Sequence, residues 1–345
     1  MDVAVVGVGR MGKHHARVYA QAPGARLVAV VDADKDRAAA VADEFGCEPL
    51  DRVATLLEKY PDVTAVSVAA PTRYHADCAG PLLRRGVACL IEKPLAATSA
   101  EGRRLVDLAH AHGAMIQVGH TERFNPAVRA VMALGVTPRF MEVDRVSPMT
   151  FRSLDVGVVM DMMIHDIDIV LTFADSPIAK LDAAGVAVLG EHEDVANARV
   201  VFASGCVANL TASRLALKTE RKLRLFSETA YVSLDYQRRT GVAIRRSDNE
   251  AALQRVRRQV AEGADLTDVD YSDLVNVTEL TMASAADDAG HDPLTAEIVS
   301  FLDAVRRGAK PVVDGAAGVA ALDAAERVVA SIREHRWEGL AGVRL

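Results

Sequence analysis

The sequence predicts an α/β chain in which a doubly wound parallel sheet precedes an α+β domain with an open, mostly antiparallel sheet. Three observations carry this. Over residues 2–118 short apolar runs alternate with stretches of helical period, as strands covered on both faces and joined by crossover helices do. Gly7, Gly9 and Gly12 stand between the first apolar run and the first such stretch. Beyond residue 123 apolar and polar residues alternate along the runs, the pattern of strands with one covered face.

A chain of 345 residues has room for two domains of roughly 150 residues each. Breaks at Gly119 and Pro126 place the junction, giving residues 1–122 and 123–345, with the last helix free to pack back on the first domain. A net charge of −7 argues against a nucleic-acid surface. No apolar run nears the ~20 residues of a membrane span. Met1-Asp2 leads straight into an apolar strand without a signal-peptide pattern. Cys47, Cys78, Cys89 and Cys206 show no paired-ligand spacing. The expectation is a cytoplasmic protein with reduced thiols and no metal.

Residues 2–6 form the first strand and Lys13–Ala22 the first helix, with Gly7-Val8-Gly9-Arg10-Met11-Gly12 between them. A G-x-G-x-x-G in this context is the dinucleotide-binding fingerprint of a Rossmann domain. Gly7 permits the tight turn, Gly9 lets backbone approach a pyrophosphate, and Gly12 lets helix and strand pack closely. The helix N-terminus adds partial positive charge. A second strand, Leu27–Val31, ends in Asp32, twenty positions after Gly12. A carboxylate there accepts hydrogen bonds from the adenosine ribose and repels a 2′-phosphate, so NAD is expected over NADP.

Helices over Asp36–Phe45 and Val53–Lys59 lead to the strand Ala65–Ala69 and the turn Pro71-Thr72-Arg73-Tyr74-His75. Pro71, Thr72 and His75 then face the carboxyl edge of the sheet, where cofactors bind. The other reading of His75 is a cap on the helix Ala76–Arg85. The run Val87–Ile91 stops at Glu92-Lys93-Pro94, setting a carboxylate and an ammonium at the same edge. A helix Ser99–His112 and a strand Met115–Val118 complete the parallel sheet. His14 and His15 are adjacent on a helix, point apart and suit no shared metal.

In the second half, Arg139–Val146, Leu181–Leu189, Ala196–Ala203, Cys206–Arg214, Lys222–Phe226 and Ala230–Tyr236 read as strands, with Ser204-Gly205 a hairpin turn. Asn209, Thr211 and Ser213 alternate with Ala208, Leu210 and Ala212. One sheet face is thus polar and open, suited to a homodimer or homotetramer contact or to simple solvation. Residues 155–170 form a helix apolar almost all round, with Asp161, His165 and Asp168 as one polar stripe. Buried ionisable groups must be paired or line a cavity, so the stripe is a core pair or a cleft wall. Residues 245–290 are acid-rich and weakly patterned, with one helix at Ala251–Ala261, and read as an exposed insertion or lid. Helices over Pro293–Arg307 and Ala317–His335 close the chain.

The glycine motif, Pro71-Thr72-Arg73-Tyr74-His75, Glu92-Lys93-Pro94, Asp161-x-x-x-His165 and Pro311-Val312-Val313-Asp314-Gly315 together resemble the Gfo/Idh/MocA family over nearly the whole chain. That family takes its name from glucose–fructose oxidoreductase, inositol dehydrogenase and a rhizopine-catabolism protein. A narrower likeness, to UDP-N-acetylglucosamine 3-dehydrogenases, shows in residues 12–19 (Gly12 to Tyr19), 118–126 (Val118 to Pro126) and 163–168 (Met163 to Asp168); residues 245–290 depart from it. The resemblance implies an NAD-dependent sugar dehydrogenase that turns a secondary hydroxyl into a ketone, on the narrower likeness the 3-hydroxyl of UDP-N-acetylglucosamine. A free polyol such as an inositol is the alternative substrate, and a non-catalytic NAD-sensing regulator the alternative role. The resemblance also implies that Lys93 contacts nicotinamide ribose and substrate hydroxyl, that Glu92 positions the cofactor, and that His165 with Asp161 handles the proton. Either Lys93 or His165 can be the base. Arg123, Asn125 and Arg152 are further substrate candidates, the arginines either meeting a diphosphate or forming structural ion pairs.

Overall fold

The structure is a computed structural model and describes residues 1–150, 156–263, 274–281 and 292–335. The chain divides into two compact units, residues 1–125, 159–171 and 286–345 in one and 126–158 and 172–285 in the other. Segments 159–171 and 286–345 group with the first unit, the latter including the last helix, for which the sequence leaves that packing open.

The first unit alternates strand and helix: β1 (Asp2–Val6), α1 (Arg10–Gln21), β2 (Arg26–Val31), α2 (Lys35–Phe45), β3 (Glu48–Leu50), α3 (Val53–Lys59), β4 (Ala65–Val68), α4 (His75–Arg84), β5 (Ala88–Glu92), α5 (Ser99–Ala111) and β6 (Ile116–Gly119). The six strands are all parallel, in the order β3-β2-β1-β4-β5-β6. The order reverses between β1 and β4, so the carboxyl ends of those strands open a crevice with no crossover above it. Val3, Val5, Ala65, Val66, Leu90 and Ile91 are fully buried, as strands covered on both faces require. Truncating one of the larger ones to alanine would cost about 2–5 kcal/mol. β3 is a strand that hydrophobic patterning missed. Its Glu48-Pro49-Leu50 has no apolar run, and Pro49 is tolerated because β3 lies at the sheet edge and pairs only with β2.

Side-chain caps start the helices where the sequence carries a short polar residue. Asp34 accepts from Arg37 N, and Thr98 from Glu101 N. Glu101 Oε2 accepts from Ala97 N at 3.0 Å, on the strand side of that cap.

The second unit holds α6 (Pro126–Ala133), β7 (Phe140–Val146), β8 (Ile178–Val186), β9 (Val195–Phe202), β10 (Val207–Ser213), β11 (Glu220–Phe226), β12 (Ala230–Asp235), β13 (Thr240–Arg246), α8 (Glu250–Ala261) and β14 (Val275–Thr281). A single-turn π-helix (Val159–Met163) and α7 (Ile164–Ala174) come between β7 and β8 in the chain, and α9 (Pro293–Arg307) and α10 (Gly315–Glu334) end it. The sheet has eight strands in the order β14-β13-β12-β11-β7-β10-β9-β8, antiparallel except for the parallel pair β7/β10. Ala208, Leu210 and Ala212 are buried, while Asn209 and Thr211 on the other face bond Arg199 and Asn197 across the strands.

Residues 245–290 are not wholly an insertion. Arg245 and Arg246 end β13, and Val275–Thr281 adds β14 at the sheet edge. Polar residues at an outer edge strand hide the alternation that betrays inner strands. Of the expected lid, residues 264–273 and 282–290 lie outside the described residues, while Glu250–Ala261 forms α8.

Candidate dinucleotide and proton-transfer site

The three loop glycines differ in why they are glycine. Gly7 has φ +81°, and a Cβ there would lie 2.4 Å from Ala70 N. A Cβ on Gly12 would lie 1.7 Å from the Gly7 carbonyl oxygen, so only glycine lets α1 sit on the loop. Gly9 has nothing within 4 Å of the same position. It caps α1 without a side-chain hydrogen bond and has open space where a Cβ would lie. A helix N-terminus of this kind can cradle a pyrophosphate. Val8 is buried and Arg10 and Met11 are exposed, so this stretch offers a ligand mainly its backbone.

Asp32 closes β2, 8% exposed. Its Oδ2 accepts from Val8 N at 2.8 Å and its Oδ1 from Asp34 N at 3.0 Å. Arg37 forks onto both oxygens, Nε at 3.1 Å and Nη2 at 2.9 Å. Burial pushes the carboxyl up, but Arg37 and the two backbone N–H groups more than offset it and hold Asp32 below the usual carboxylate range. Arg37 escaped sequence reading, although it stands only five positions after the aspartate, in the first turn of α2.

Pro71 and Thr72 open a 3-10 turn (Thr72–Tyr74) after β4 and lie at the surface. His75 departs from the expectation of cofactor contact. It is the first residue of α4 and 1% exposed, with Nδ1 2.9 Å from the Pro94 carbonyl and Nε2 2.8 Å from the Ala70 carbonyl. Both ring nitrogens therefore face backbone, and the ring ties the loop after β4 to the loop after β5. Burial pulls its pKa below the ordinary histidine value against the pull of the two carbonyls.

Glu92 is the last residue of β5 and is buried. Oε1 lies 2.9 Å from His15 Nε2, and Oε2 accepts from Lys93 N at 3.2 Å. Its neighbour across the sheet is Gly119, where a Cβ would come within 2.9 Å of Oε2. The glycine makes room for the carboxylate. His15 Nδ1 lies 2.9 Å from Ser67 Oγ, which lies 2.7 Å from the Tyr19 hydroxyl. Burial raises the Glu92 carboxyl, yet His15 and the Lys93 charge bring it below its ordinary value. This network was not legible as function in the sequence; its one signal is that His15 and Tyr19 share the buried face of α1 with Gly12, Ala16 and Val18.

Lys93 follows, joined to Pro94 by a cis peptide. Its Nζ donates to the Asp161 carbonyl oxygen at 2.6 Å and stands 3.6 Å from Asp161 Oδ1. Asp161 lies in the π-turn and His165 in the first turn of α7. Burial differs along the expected three-residue stripe. Asp161 and His165 are half-buried, whereas Asp168 is 1% exposed and turned inward. The π-turn widens the helix just before α7, so ideal α-helical spacing does not describe the face.

Asp168 takes a two-pronged bond from Arg123, Nε to Oδ2 at 2.6 Å and Nη2 to Oδ1 at 3.0 Å. With side chains 10% and 2% exposed, this is a buried pair. Of the two sequence readings of Arg123, diphosphate contact or ion pair, the structure has the ion pair. Asn125 is buried too, and its amide donates to Glu122 Oε2 at 3.0 Å. Arg152 lies outside the described residues. Among the described residues no cluster of three or more His, Cys, Asp or Glu could hold a metal.

One sheet edge thus carries an open glycine loop, the Asp32 carboxylate at the end of the neighbouring strand and an ammonium set against Asp161. Such an edge can seat a dinucleotide and stabilise an alkoxide beside it.

Comparison with known proteins agrees. Residues 1–120 match the family description "Oxidoreductase family, NAD-binding Rossmann fold", and residues 129–233 match the GFO/IDH/MocA C-terminal domain. The chain is 33% identical over 330 residues to a UDP-N-acetylglucosamine 3-dehydrogenase of Acidithiobacillus ferrooxidans, covering 95% of this chain and 96% of that one. It is 28% identical to an inositol 2-dehydrogenase of Rhizobium meliloti, covering 98% of each. A solved structure of the Acidithiobacillus ferrooxidans dehydrogenase superposes with a TM-score of 0.84 at 32% identity, over 97% of this chain and 98% of that one. The chain belongs to the Gfo/Idh/MocA family of NAD-binding oxidoreductases.

Proposed function

We propose that the protein oxidises the 3-hydroxyl of UDP-N-acetylglucosamine to a ketone with NAD. The observation that carries the chemistry is Lys93 Nζ, 18% exposed, held at the Asp161 carbonyl with the Asp161 carboxylate 3.6 Å away. The substrate comes from the 33% identity to the Acidithiobacillus ferrooxidans enzyme across nearly the full chain.

Gly9, the N-terminus of α1 and Asp32 would hold the cofactor, which when bound accepts a hydride from the carbinol carbon. Hydride leaves only as the hydroxyl loses its proton. The Lys93 ammonium stabilises the developing alkoxide, and its anchor on Asp161 sets where that charge sits. His165, four residues from Asp161, takes the proton directly or by way of Lys93. Glu92 holds the Lys93 backbone through Oε2.

Asp32 supports NAD over NADP, because a 2′-phosphate would meet its charge. Four free cysteines support a cytoplasmic setting, and no helix of the described residues is long and apolar enough to cross a membrane. The polar face of the eight-stranded sheet is the surface we assign to a homodimer or homotetramer contact.

A second reading, oxidation of a free polyol, has one observation in its favour. Arg123, the described arginine expected to meet a diphosphate, is already engaged by Asp168. A panel of UDP-sugars and free inositols assayed by NADH absorbance decides between them. Turnover of UDP-N-acetylglucosamine at a kcat/KM well above any inositol is expected; turnover of inositol alone would replace the first reading with the second.

A further inference from the structure

Glu297, in the second turn of α9, is fully buried and has no part in the chemistry above. Its Oε2 accepts from Thr121 Oγ1 at 2.9 Å, and its Oε1 has no hydrogen-bond partner. Among the described residues no lysine, arginine or histidine pairs with it. The charged groups that face it are the carboxylates of Glu92 on β5 and Asp168 on α7, both of which raise its affinity for a proton. From α1, which also packs on α9, the Tyr19 phenol faces it and His15 is bonded to Glu92. From β6, the Gln117 amide donates to its backbone carbonyl at 3.2 Å. An ionised Glu297 would be a bare charge in a dry interior, beside two like charges and with no counter-ion. A carboxyl escapes that penalty by keeping its proton.

What Glu297 touches leads to the site. Thr121 opens the 3-10 turn Thr121–Phe124, and α9 packs on that turn. The same turn carries Arg123, whose fork on Asp168 holds α7. Next to α7 in the chain is the π-turn with Asp161, the residue that anchors Lys93.

We propose that Glu297 is a neutral acid and a positioning residue, whose hydrogen bond to Thr121 sets the turn that presents Arg123 to Asp168 and so seats the Asp161–His165 face at Lys93. This rests on the reading of Lys93, Asp161 and His165 given above. The neutral carboxyl accepts the Thr121 hydroxyl at Oε2 and keeps its proton on Oε1, the atom without a partner. Ionisation would set a third negative charge against Glu92 and Asp168 and push on both anchors together.

The test uses the full-length protein with NAD. Infrared difference spectra of wild type against Glu297→Gln are expected to show the C=O band of a protonated carboxyl in the wild type only. Glutamine keeps the acceptor and has no charge, so Glu297→Gln should retain kcat within about threefold and Glu297→Ala should lose about tenfold or more, with NAD affinity unchanged in both. Because the alanine variant could fail to fold, Thr121→Val and Thr121→Ser give an independent arm. Loss of kcat in the valine variant with its return in the serine variant supports the positioning role. Absence of the carboxyl band, or full kcat in both Glu297→Ala and Thr121→Val, overturns the proposal. The infrared arm needs no substrate. A missing band therefore counts against Glu297 alone, whereas an active Lys93→Ala with the band present counts against the catalytic reading alone.

Discussion

Among the described residues, two buried arginine–aspartate pairs are alike in geometry and do different things. In the first unit Arg123 forks onto Asp168, with Nε to Oδ2 at 2.6 Å. In the second unit Arg214 meets Asp194, with Nε to Oδ1 also at 2.6 Å and side chains 5% and 0% exposed. The neighbours differ. Asp194 Oδ2 accepts from Val188 N and Leu189 N, both at 2.7 Å, and Arg214 Nη1 donates to the Val156 carbonyl at 2.8 Å. That pair staples loops to each other. Burial pushes the Asp194 carboxyl up, and the two backbone N–H groups with Arg214 more than offset it, so it stays below its ordinary value. Asp168, by contrast, stands on the helix that carries His165. Geometry and burial alone do not separate a site pair from a scaffold pair; what each pair holds in place does.

The largest effect is expected at the residue the first pair serves. Lys93→Ala should lower kcat by about 10²–10⁴-fold, the range for a lost proton-transfer or charge-stabilising group. NAD binding by fluorescence titration should persist, and near-normal turnover would end the catalytic reading.

Next come the two pairs themselves. Breaking either leaves a buried charge unpaired, at about 3–5 kcal/mol of stability. Asp168→Asn should in addition lower kcat by about 10²-fold, the scale of a small misplacement of reacting groups. Asp194→Asn should leave kcat per folded molecule unchanged while lowering the urea midpoint. If the two variants lose kcat equally, the distinction between the pairs is wrong.

A smaller change is expected at the cofactor end. On the proposed reading Asp32→Ala removes a charged acceptor for the ribose, a contribution of about 1.5–3 kcal/mol, so KM for NAD should rise about tenfold or more. Arg37, released from Asp32, could then turn to a 2′-phosphate, and the proposed preference for NAD over NADP should narrow or invert. An unchanged ratio of the two cofactors would show that Asp32 does not set it.

The smallest effect is a pH dependence. Burial and the nearby Glu92 charge raise the Glu297 pKa in the folded protein well above its ordinary 4.5. A group raised on folding contributes fully below its unfolded value and loses that contribution as pH rises towards the folded one. The stability of wild type relative to Glu297→Gln should therefore fall above pH 4.5, by at most about 1.4 kcal/mol per pH unit. Parallel curves for the two proteins from pH 5 upward would count against a neutral acid at that position.

Residues whose roles depend on their near neighbours in the chain were legible beforehand. The glycine loop, Asp32 and Glu92-Lys93-Pro94 are recognisable because a strand, a tight turn and a helix N-terminus are local structures. Most strands of both sheets showed through their alternation or their unbroken apolar runs. β3, β13 and β14 did not: β3 and β14 are edge strands that carry proline or polar residues, and β13, inside the sheet, is a short run broken by Gly241 and ending in Arg245 and Arg246. The π-turn at Asp161 left no mark in the spacing either, so a stripe drawn on an ideal α-helix misses the change of helix type between Asp161 and His165.

What the sequence determined by itself is the cofactor half: the Rossmann alternation, the three glycines, and a carboxylate and an ammonium at the carboxyl edge of the sheet. What only tertiary structure decided is who partners whom across long stretches of chain. His15 meets Glu92, Arg123 meets Asp168, His75 bridges two loops, and Glu297 reaches Thr121 from 176 residues away. The physical reason is that burial makes a polar group depend on its partner, and a partner brought from a distant segment leaves no period or spacing in the chain.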